Sequence, residues 1–241
     1  MINEDFSTRG RAEDVGRWYV NRFVEKVAKN LPAGASILDA GAGESVYKKY
    51  FSHGNYKAID LAVGESRWNY DNLDYVAPLH KMPIEDNSFD AVLCTQVLEH
   101  LEWPRESVKE MHRVLKPGGK IYLTVPMAHN EHQVPHDFFR FTSYGVQSIC
   151  RHAGFREIIV TPFGGIWARW AYEMPRGLSV FLPTGIQEKK GGSIGAVGIA
   201  LVPAKFVVLG FLRVLQTFFL WIDRFDKKKD DPFGWSCEAT K

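Results

Sequence analysis

The run Ile37-Leu38-Asp39-Ala40-Gly41-Ala42-Gly43-Glu44-Ser45 constrains this chain more than any other stretch. An apolar run ending in an acid, then two glycines separated by one alanine, describes a buried parallel strand that stops sharply and lets its backbone approach a ligand. A Cβ at either glycine would block the tight turn or hold the ligand away from main-chain N–H groups. A plain strand-to-helix turn without a ligand uses the same residues, so a second signal is needed. The next strand supplies it: Tyr56-Lys57-Ala58-Ile59-Asp60-Leu61 again carries an acid at its end, about twenty residues on, where a doubly wound sheet places a carboxylate beside the first glycine turn and within reach of ribose hydroxyls. A dinucleotide site would want a third glycine and a helix N-terminus aimed at pyrophosphate. Here Glu44-Ser45 follows, and a carboxylate at that helix end repels phosphate. A ligand with ribose and adenine but no phosphate fits better.

Five segments in order then resemble one family. Asp39-Ala40-Gly41-Ala42-Gly43 resembles the first motif of class I S-adenosylmethionine-dependent methyltransferases, and Asp60 matches the acid ending their second strand. Met82-Pro83-Ile84-Glu85-Asp86-Asn87-Ser88-Phe89-Asp90-Ala91-Val92 is similar to their approach to the fourth strand. Val97-Leu98-Glu99-His100-Leu101 and Arg113-Val114-Leu115-Lys116-Pro117-Gly118-Gly119 are similar to the two segments that follow. The resemblance runs from about Ser36 to Phe155 and is nearest the broad group that includes quinone-biosynthesis and polysaccharide-pathway methyltransferases. It implies an α/β fold, a Rossmann-like doubly wound sheet of seven strands with the last antiparallel, and S-adenosylmethionine as cofactor. It also implies methyl transfer to a small-molecule, glycan or lipid-linked acceptor. In that reading Asp39, Gly41, Ala42 and Gly43 shape the cofactor turn, Asp60 and Leu61 meet the ribose, and Leu79, His80 and Gln96 lie nearby. Many relatives carry an acid after the third strand where this chain has Ala77-Pro78-Leu79-His80, which leaves adenine to main-chain and apolar contacts. Two competitors stand beside it: a catalytically inactive cofactor-binding module that acts through an apolar insertion, and a nicotinamide oxidoreductase, which Glu44-Ser45 disfavours.

At 241 residues the chain reads as one domain spanning 1–241, with an N-terminal helical segment over 1–34 and an apolar helical insertion over 165–229. A net charge of +2 gives no argument for nucleic acid, and no nucleic-acid partner is expected. Cys94, Cys150 and Cys237, far apart and without a CxxC pair, read as reduced thiols, and the N-terminus lacks a signal-peptide core; a cytoplasmic location is expected. Val15, Tyr19, Phe23 and Val27 recur at four-residue intervals in an amphipathic helix from Ala12 to Leu31. Asp74 to Ala77 reads as a third strand, Ala91 to Cys94 as the fourth, Arg105 to Leu115 as a helix, Lys120 to Val125 as the fifth strand, Gly154 to Val160 as the sixth and Phe233 to Thr240 as the seventh.

Acceptor chemistry is expected beyond the carboxyl ends of the fourth and fifth strands. Thr95, Gln96, Glu99 and His100 should approach the acceptor or the methionine half, with His100 either a base or a structural histidine. The segment Ala128 to Thr142 holds three histidines and two acids, borderline metal ligands. Its Pro135-His136-Asp137-Phe138-Phe139-Arg140-Phe141-Thr142 portion resembles polysaccharide-associated members, so it is read as a substrate-facing loop without a metal. His132, His136 and Asp137 are then catalytic candidates with His100, and Glu131 and Arg140 substrate-binding candidates. The competing reading has Arg140 and Asp137 pairing to brace the loop while the phenylalanines cover the core. The apolar stretch 194–225 includes a helix from Ala204 to Phe225 with Lys205, Arg213, Gln216, Thr217, Asp223 and Arg224 on about a third of its circumference. Its charges and Pro203 argue against a membrane span. Packing on the sheet, a peripheral membrane surface, a homodimer face and a lid over an apolar substrate remain as alternatives.

Overall fold

A computed structural model describes residues 14–64, 68–179 and 202–241. The chain divides into two compact units: one comprises Tyr19–Phe163 and Phe233–Lys241, the other Gly164–Pro232 together with the residues up to Trp18.

The first unit is built on a seven-stranded sheet. Its strands are β1 (Ser36–Ala40), β2 (Asn55–Asp60), β3 (Tyr75–Val76), β4 (Phe89–Thr95), β5 (Leu115–Pro126), β6 (Arg156–Phe163) and β7 (Gly234–Thr240), in spatial order 3-2-1-4-5-7-6. β1 to β5 are parallel, with Leu38 opposite Lys57 on one side and Val92 on the other. β7 runs antiparallel between β5 and β6, pairing Cys237 with Leu123 and with Val160. Leu38, Val92, Leu93, Ile121 and Leu123 are all buried, as continuous apolar runs require when a parallel sheet is covered on both faces. The strand order reverses between β1 and β4, so their carboxyl ends open the crevice in which such sheets bind ligands.

Helix α1 (Val15–Asn30) buries Phe23, Val24 and Val27; Phe23 meets Tyr122 and Phe163 edge-on. The expected residues 12 and 13 lie outside those described. Helix α2 (Pro104–Val114) opens on proline and turns Val108, Met111 and Val114 inward. It ends one residue earlier than expected, because Leu115 already pairs with Phe89 as β5 begins. Helix α3 (Ser143–Ala153) is capped by Thr142, whose hydroxyl accepts from the Gly145 amide at 3.1 Å, and closes on Gly154 at φ +104°. Arg113 ties the segment before β4 together by donating to the carbonyls of Met82 and Ile84 and to Asp86 and Glu110. β3 is only two residues long, and β6 extends to Phe163, beyond the expected Val160. All three cysteines are free and buried. Cys150 and Cys237, distant in sequence, bring their sulfurs to 3.9 Å.

The second unit contains α4 (Ile166–Ser179) and α5 (Val202–Ile222), which pack together. Of the polar residues expected on one third of the α5 circumference, Arg213, Thr217 and Arg224 are exposed, whereas Gln216 and Asp223 turn inward. Gln216 is buried and donates to the Ala171 carbonyl at 2.9 Å. Asp223 is buried and accepts from the Gly165 and Ala168 amides at the start of α4, with Lys229 on its other oxygen at 3.1 Å. Leu212 and Leu220 lie on that same inner face, while Phe211, Val214, Phe218, Trp221 and Phe225 are exposed at intervals of three and four. No helix among the described residues is long and apolar enough to cross a membrane.

Candidate functional site at the carboxyl ends of the central strands

Positive φ angles gather where β1, β2 and β4 end: Gly41 (82°), Gly43 (51°), Ser45 (57°), Ala62 (58°) and Gln96 (55°). Left-handed backbone at non-glycine residues is strained and persists where surroundings impose it, as at ligand clamps. At Gly41 a Cβ would stand 2.4 Å from the Val97 side chain, so this position needs glycine for both conformation and space. At Gly43 a Cβ would meet only the Trp68 ring, at 3.6 Å.

The amides of this turn are not offered outward as the sequence suggests. Gly41 and Ala42 both donate to the Ile59 carbonyl, at 2.8 and 3.1 Å, and Gly43 donates to Asp60 Oδ2 at 2.9 Å. Asp60 Oδ1 accepts from the Ala62 amide at 2.8 Å. The turn after β1 is therefore bolted to the tip of β2, and its glycines provide close approach rather than free donors. Asp39 is buried. Its Oδ2 accepts from the Tyr56 hydroxyl, whereas Oδ1 has no hydrogen-bond partner among the described residues. Burial raises its carboxyl to about 7, opposed by the Tyr56 bond and assisted by the Asp60 charge.

The other expected cofactor residues scatter more widely. Gln96 sits at the end of β4, its amide donating to the Thr124 carbonyl and its side chain to the Thr124 hydroxyl. Leu61 is exposed. Leu79 is part of the core, and His80 lies exposed against the Trp103 ring at 4.9 Å. Tyr56, Trp68 and Thr124 escape a sequence reading because no motif marks them; their placement comes from strand register and from a loop folding back over the turn.

Beyond the carboxyl end of β4, the turn Leu98–His100 and the segment 128–142 meet. The Glu99 carbonyl accepts from the Phe138 and Phe139 amides, at 2.8 and 3.2 Å, which fastens the loop to the turn after β4. Arg140 directs all five of its N–H donors within this loop: two to Asp137, the others to the carbonyls of His129, Asn130 and Phe139. The Arg140 bonds outweigh partial burial and hold the Asp137 carboxyl well below the usual carboxylate range. Arg140 and Asp137 pair and brace the loop, the arrangement that the competing reading describes. Of the phenylalanines only Phe141 enters the core; Phe138 and Phe139 are partly exposed. Glu131 and His136 are exposed as well.

His100 and His132 come together, with ring centroids 4.6 Å apart. His100 Nδ1 lies 2.5 Å from the His136 carbonyl and therefore carries the proton, leaving Nε2 as a buried lone pair without a hydrogen-bond partner among the described residues. Burial lowers the pKa of His100, chiefly by desolvation. Glu99, wholly buried beside it, has neither carboxylate oxygen hydrogen-bonded.

Residues 38–123 match a protein family described as a methyltransferase domain. Over that stretch the chain is similar to methyltransferase domains. Among curated relatives, the methyltransferase region is 33% identical over 121 residues to a ubiquinone biosynthesis O-methyltransferase of Xanthomonas axonopodis pv. citri, covering 42% of this chain and 47% of that one. It is 31% identical over 111 residues to a demethylmenaquinone methyltransferase of Renibacterium salmoninarum, covering 44% and 46%. The chain thus spans about half the length of these relatives. Among solved structures, phosphoethanolamine N-methyltransferase 2 of Haemonchus contortus, solved with S-adenosyl-L-methionine, matches 93% of this chain and 52% of its own at a TM-score of 0.54 and 17% identity. The [4+2]-cyclase SpnF matches 92% and 81% at 0.54 and 20% identity. Likenesses at these identities establish the fold alone.

Proposed function

We propose that this protein transfers a methyl group from S-adenosylmethionine to a hydroxyl of a small-molecule, glycan or lipid-linked acceptor. The observation that carries the reading is the Asp60 carboxylate, held by the Gly43 and Ala62 amides at the rim of the glycine turn. An ionised carboxylate has about four lone-pair sites, so two remain for a ribose diol. The unpartnered Oδ1 of Asp39 beside the same turn, and a Gly41 that tolerates no side chain, suit the adenosyl and amino-acid parts of that cofactor. When bound, the sulfonium supplies an electrophilic methyl carbon. The chain has then to hold the acceptor oxygen in line at about 3 Å and exclude water. A hydroxyl must also lose its proton, and His100, kept neutral at pH 7 by burial, presents Nε2 for that purpose.

Calorimetry with S-adenosylhomocysteine tests the cofactor part. Asp60→Ala should weaken binding by about tenfold or more, in line with losing charge-assisted hydrogen bonds worth about 1.5–3 kcal/mol; no binding by the wild type would end the reading. Labelled S-adenosylmethionine added with cell extract should yield a labelled product and S-adenosylhomocysteine. Uptake without any release would favour a binding module instead.

We further propose that the exposed stripe of α5 rests on a membrane surface. Phe211, Val214, Phe218, Trp221 and Phe225 form an aromatic-rich face, and the exposed Arg224, Lys227 and Lys228 follow at its end. Such a face beside basic residues suits an anionic interface. The free, buried state of all three cysteines supports a reducing, cytoplasmic side. Flotation with vesicles containing phosphatidylglycerol should carry the protein, and Phe211→Ser with Trp221→Ser should release it. A concentration-dependent dimer that ignores vesicles would replace the membrane with a second copy.

A further inference from the structure

We infer that Glu99, His100 and His132 form a binding site for a divalent first-row transition cation, zinc(II) in type, on the acceptor side of the sheet. Each offers a ligand atom, and the three atoms lie within 4.8 Å of one another. A tetrahedral ion with bonds of about 2.0–2.2 Å holds its ligand atoms about 3.3–3.6 Å apart, so the most widely spaced of the three would have to close in by roughly 1.2–1.5 Å.

The hydrogen bonds around the trio are arranged as they are around metal-bound imidazoles, which give their other ring N–H to an oxygen acceptor. His100 Nδ1 gives its proton to the His136 carbonyl. His132 Nδ1 lies 3.1 Å from the Asn130 carbonyl and 3.3 Å from Asp137 Oδ2. Both rings are thereby fixed in the tautomer that leaves Nε2 with a lone pair. Asp137 is held ionised by Arg140 and also accepts from the His132 amide at 2.9 Å, so the whole loop brace serves to set one imidazole in place.

Glu99 is the second, independent observation. Its side chain has no exposure, and neither of its oxygens nor His100 Nε2 finds a hydrogen-bond partner among the described residues. A buried carboxylate without a partner is costly; burial raises the Glu99 carboxyl to about 8, so that it holds its proton unless a positive charge or a metal takes the proton's place. The nearest cationic side chain on the loop, Arg140, has already committed every donor elsewhere. Two imidazoles and one carboxylate form a donor set for zinc, iron(II), cobalt or nickel rather than for magnesium or calcium, which favour oxygen alone. Three protein ligands leave a fourth position open.

The site deepens the function proposed above and, in its role though not in its binding, rests on it. An acceptor hydroxyl in the fourth position would be acidified by the ion. Its O–H bond breaks with the proton passing to solvent, and the oxygen's electron pair forms the new bond to the methyl carbon as the carbon–sulfur bond breaks. His100 then acts as a ligand, and the direct proton transfer described above belongs to the ion-free protein.

The test uses the full chain, stripped with a chelator and titrated with cobalt(II), then back-titrated with zinc(II). One equivalent of cobalt should raise visible d–d absorption that zinc abolishes. His132→Ala, on a partly exposed loop, and Glu99→Gln should each weaken zinc binding by about a hundredfold with native circular dichroism, and Asp137→Asn by about 10–100-fold, as outer partners do. Absence of zinc uptake by the wild type, or unchanged affinity in a folded His132→Ala protein, would overturn the site. S-adenosylhomocysteine binding on the same samples reports separately: retained without zinc uptake, it sinks the metal and spares the methyl-transfer reading.

Discussion

Asp39 is a buried acid with one oxygen engaged by Tyr56, and its proton is held more tightly in the folded chain, at about 7, than at the usual carboxylate value of 3.8. The stability it contributes is therefore fully present below about pH 4 and is lost as pH rises through about 7. Asp39→Asn should flatten that part of the melting-temperature profile between pH 4.5 and 8; an unchanged slope would show that other groups dominate. At Gly41, φ of 82° and the 2.4 Å approach of Val97 act together. Gly41→Ala should destabilise by about 1–3 kcal/mol in urea unfolding, and adding Val97→Ala should restore only the steric share, because the left-handed backbone remains strained. Both glycines and Asp60 were legible from spacing alone. The isolation of Glu99 was not, since zero exposure and the lack of a hydrogen-bond partner among the described residues depend on what the loop 129–141 brings over it.

Elements here begin and end where short-range chemistry dictates. The phenylalanine-rich segment terminates in Thr142, which caps α3 through the Gly145 amide. Thr142→Ala should cost about 1 kcal/mol and Thr142→Ser much less, measured by thermal unfolding. A larger effect is expected at Asp223, buried between the start of α4 and Lys229. Asp223→Ala leaves two amides without their acceptor and Lys229 with only the backbone carbonyl of residue 223. It should speed proteolytic cleavage within 164–232 several-fold while circular dichroism changes little, the cost being about 1–3 kcal/mol. Helical periodicity located α5, but it could not say which stripe faces α4. Gln216 and Asp223 look like a solvent edge on a helical wheel and are instead satisfied inside, because a buried polar group is tolerable when its partner is fixed opposite.

At the scale of the whole molecule, the Phe233 amide donates to the Phe163 carbonyl, and Phe163 pairs with Gly234. The ends of the 164–232 segment thus stand where a hairpin turn would. Replacing it by Asn-Gly should leave the sheet unit folded and binding S-adenosylhomocysteine within about threefold of the parent; an insoluble or non-binding product would show that the sheet needs the segment. The parallel strands, the antiparallel seventh and the long excursion before it were all readable in the sequence. A strand buried on both faces must be a continuous apolar run, and an acid or glycine at its end is conspicuous against that run. Period and punctuation are local, so the sequence by itself determined the sheet, its glycine turn and the carboxylate on the neighbouring strand. The tertiary structure alone decided which donors are already used, that Arg140 and Asp137 brace rather than face outward, and that Glu99, His100 and His132 converge. Hydrogen-bond saturation and burial are properties of chain segments that meet only after folding.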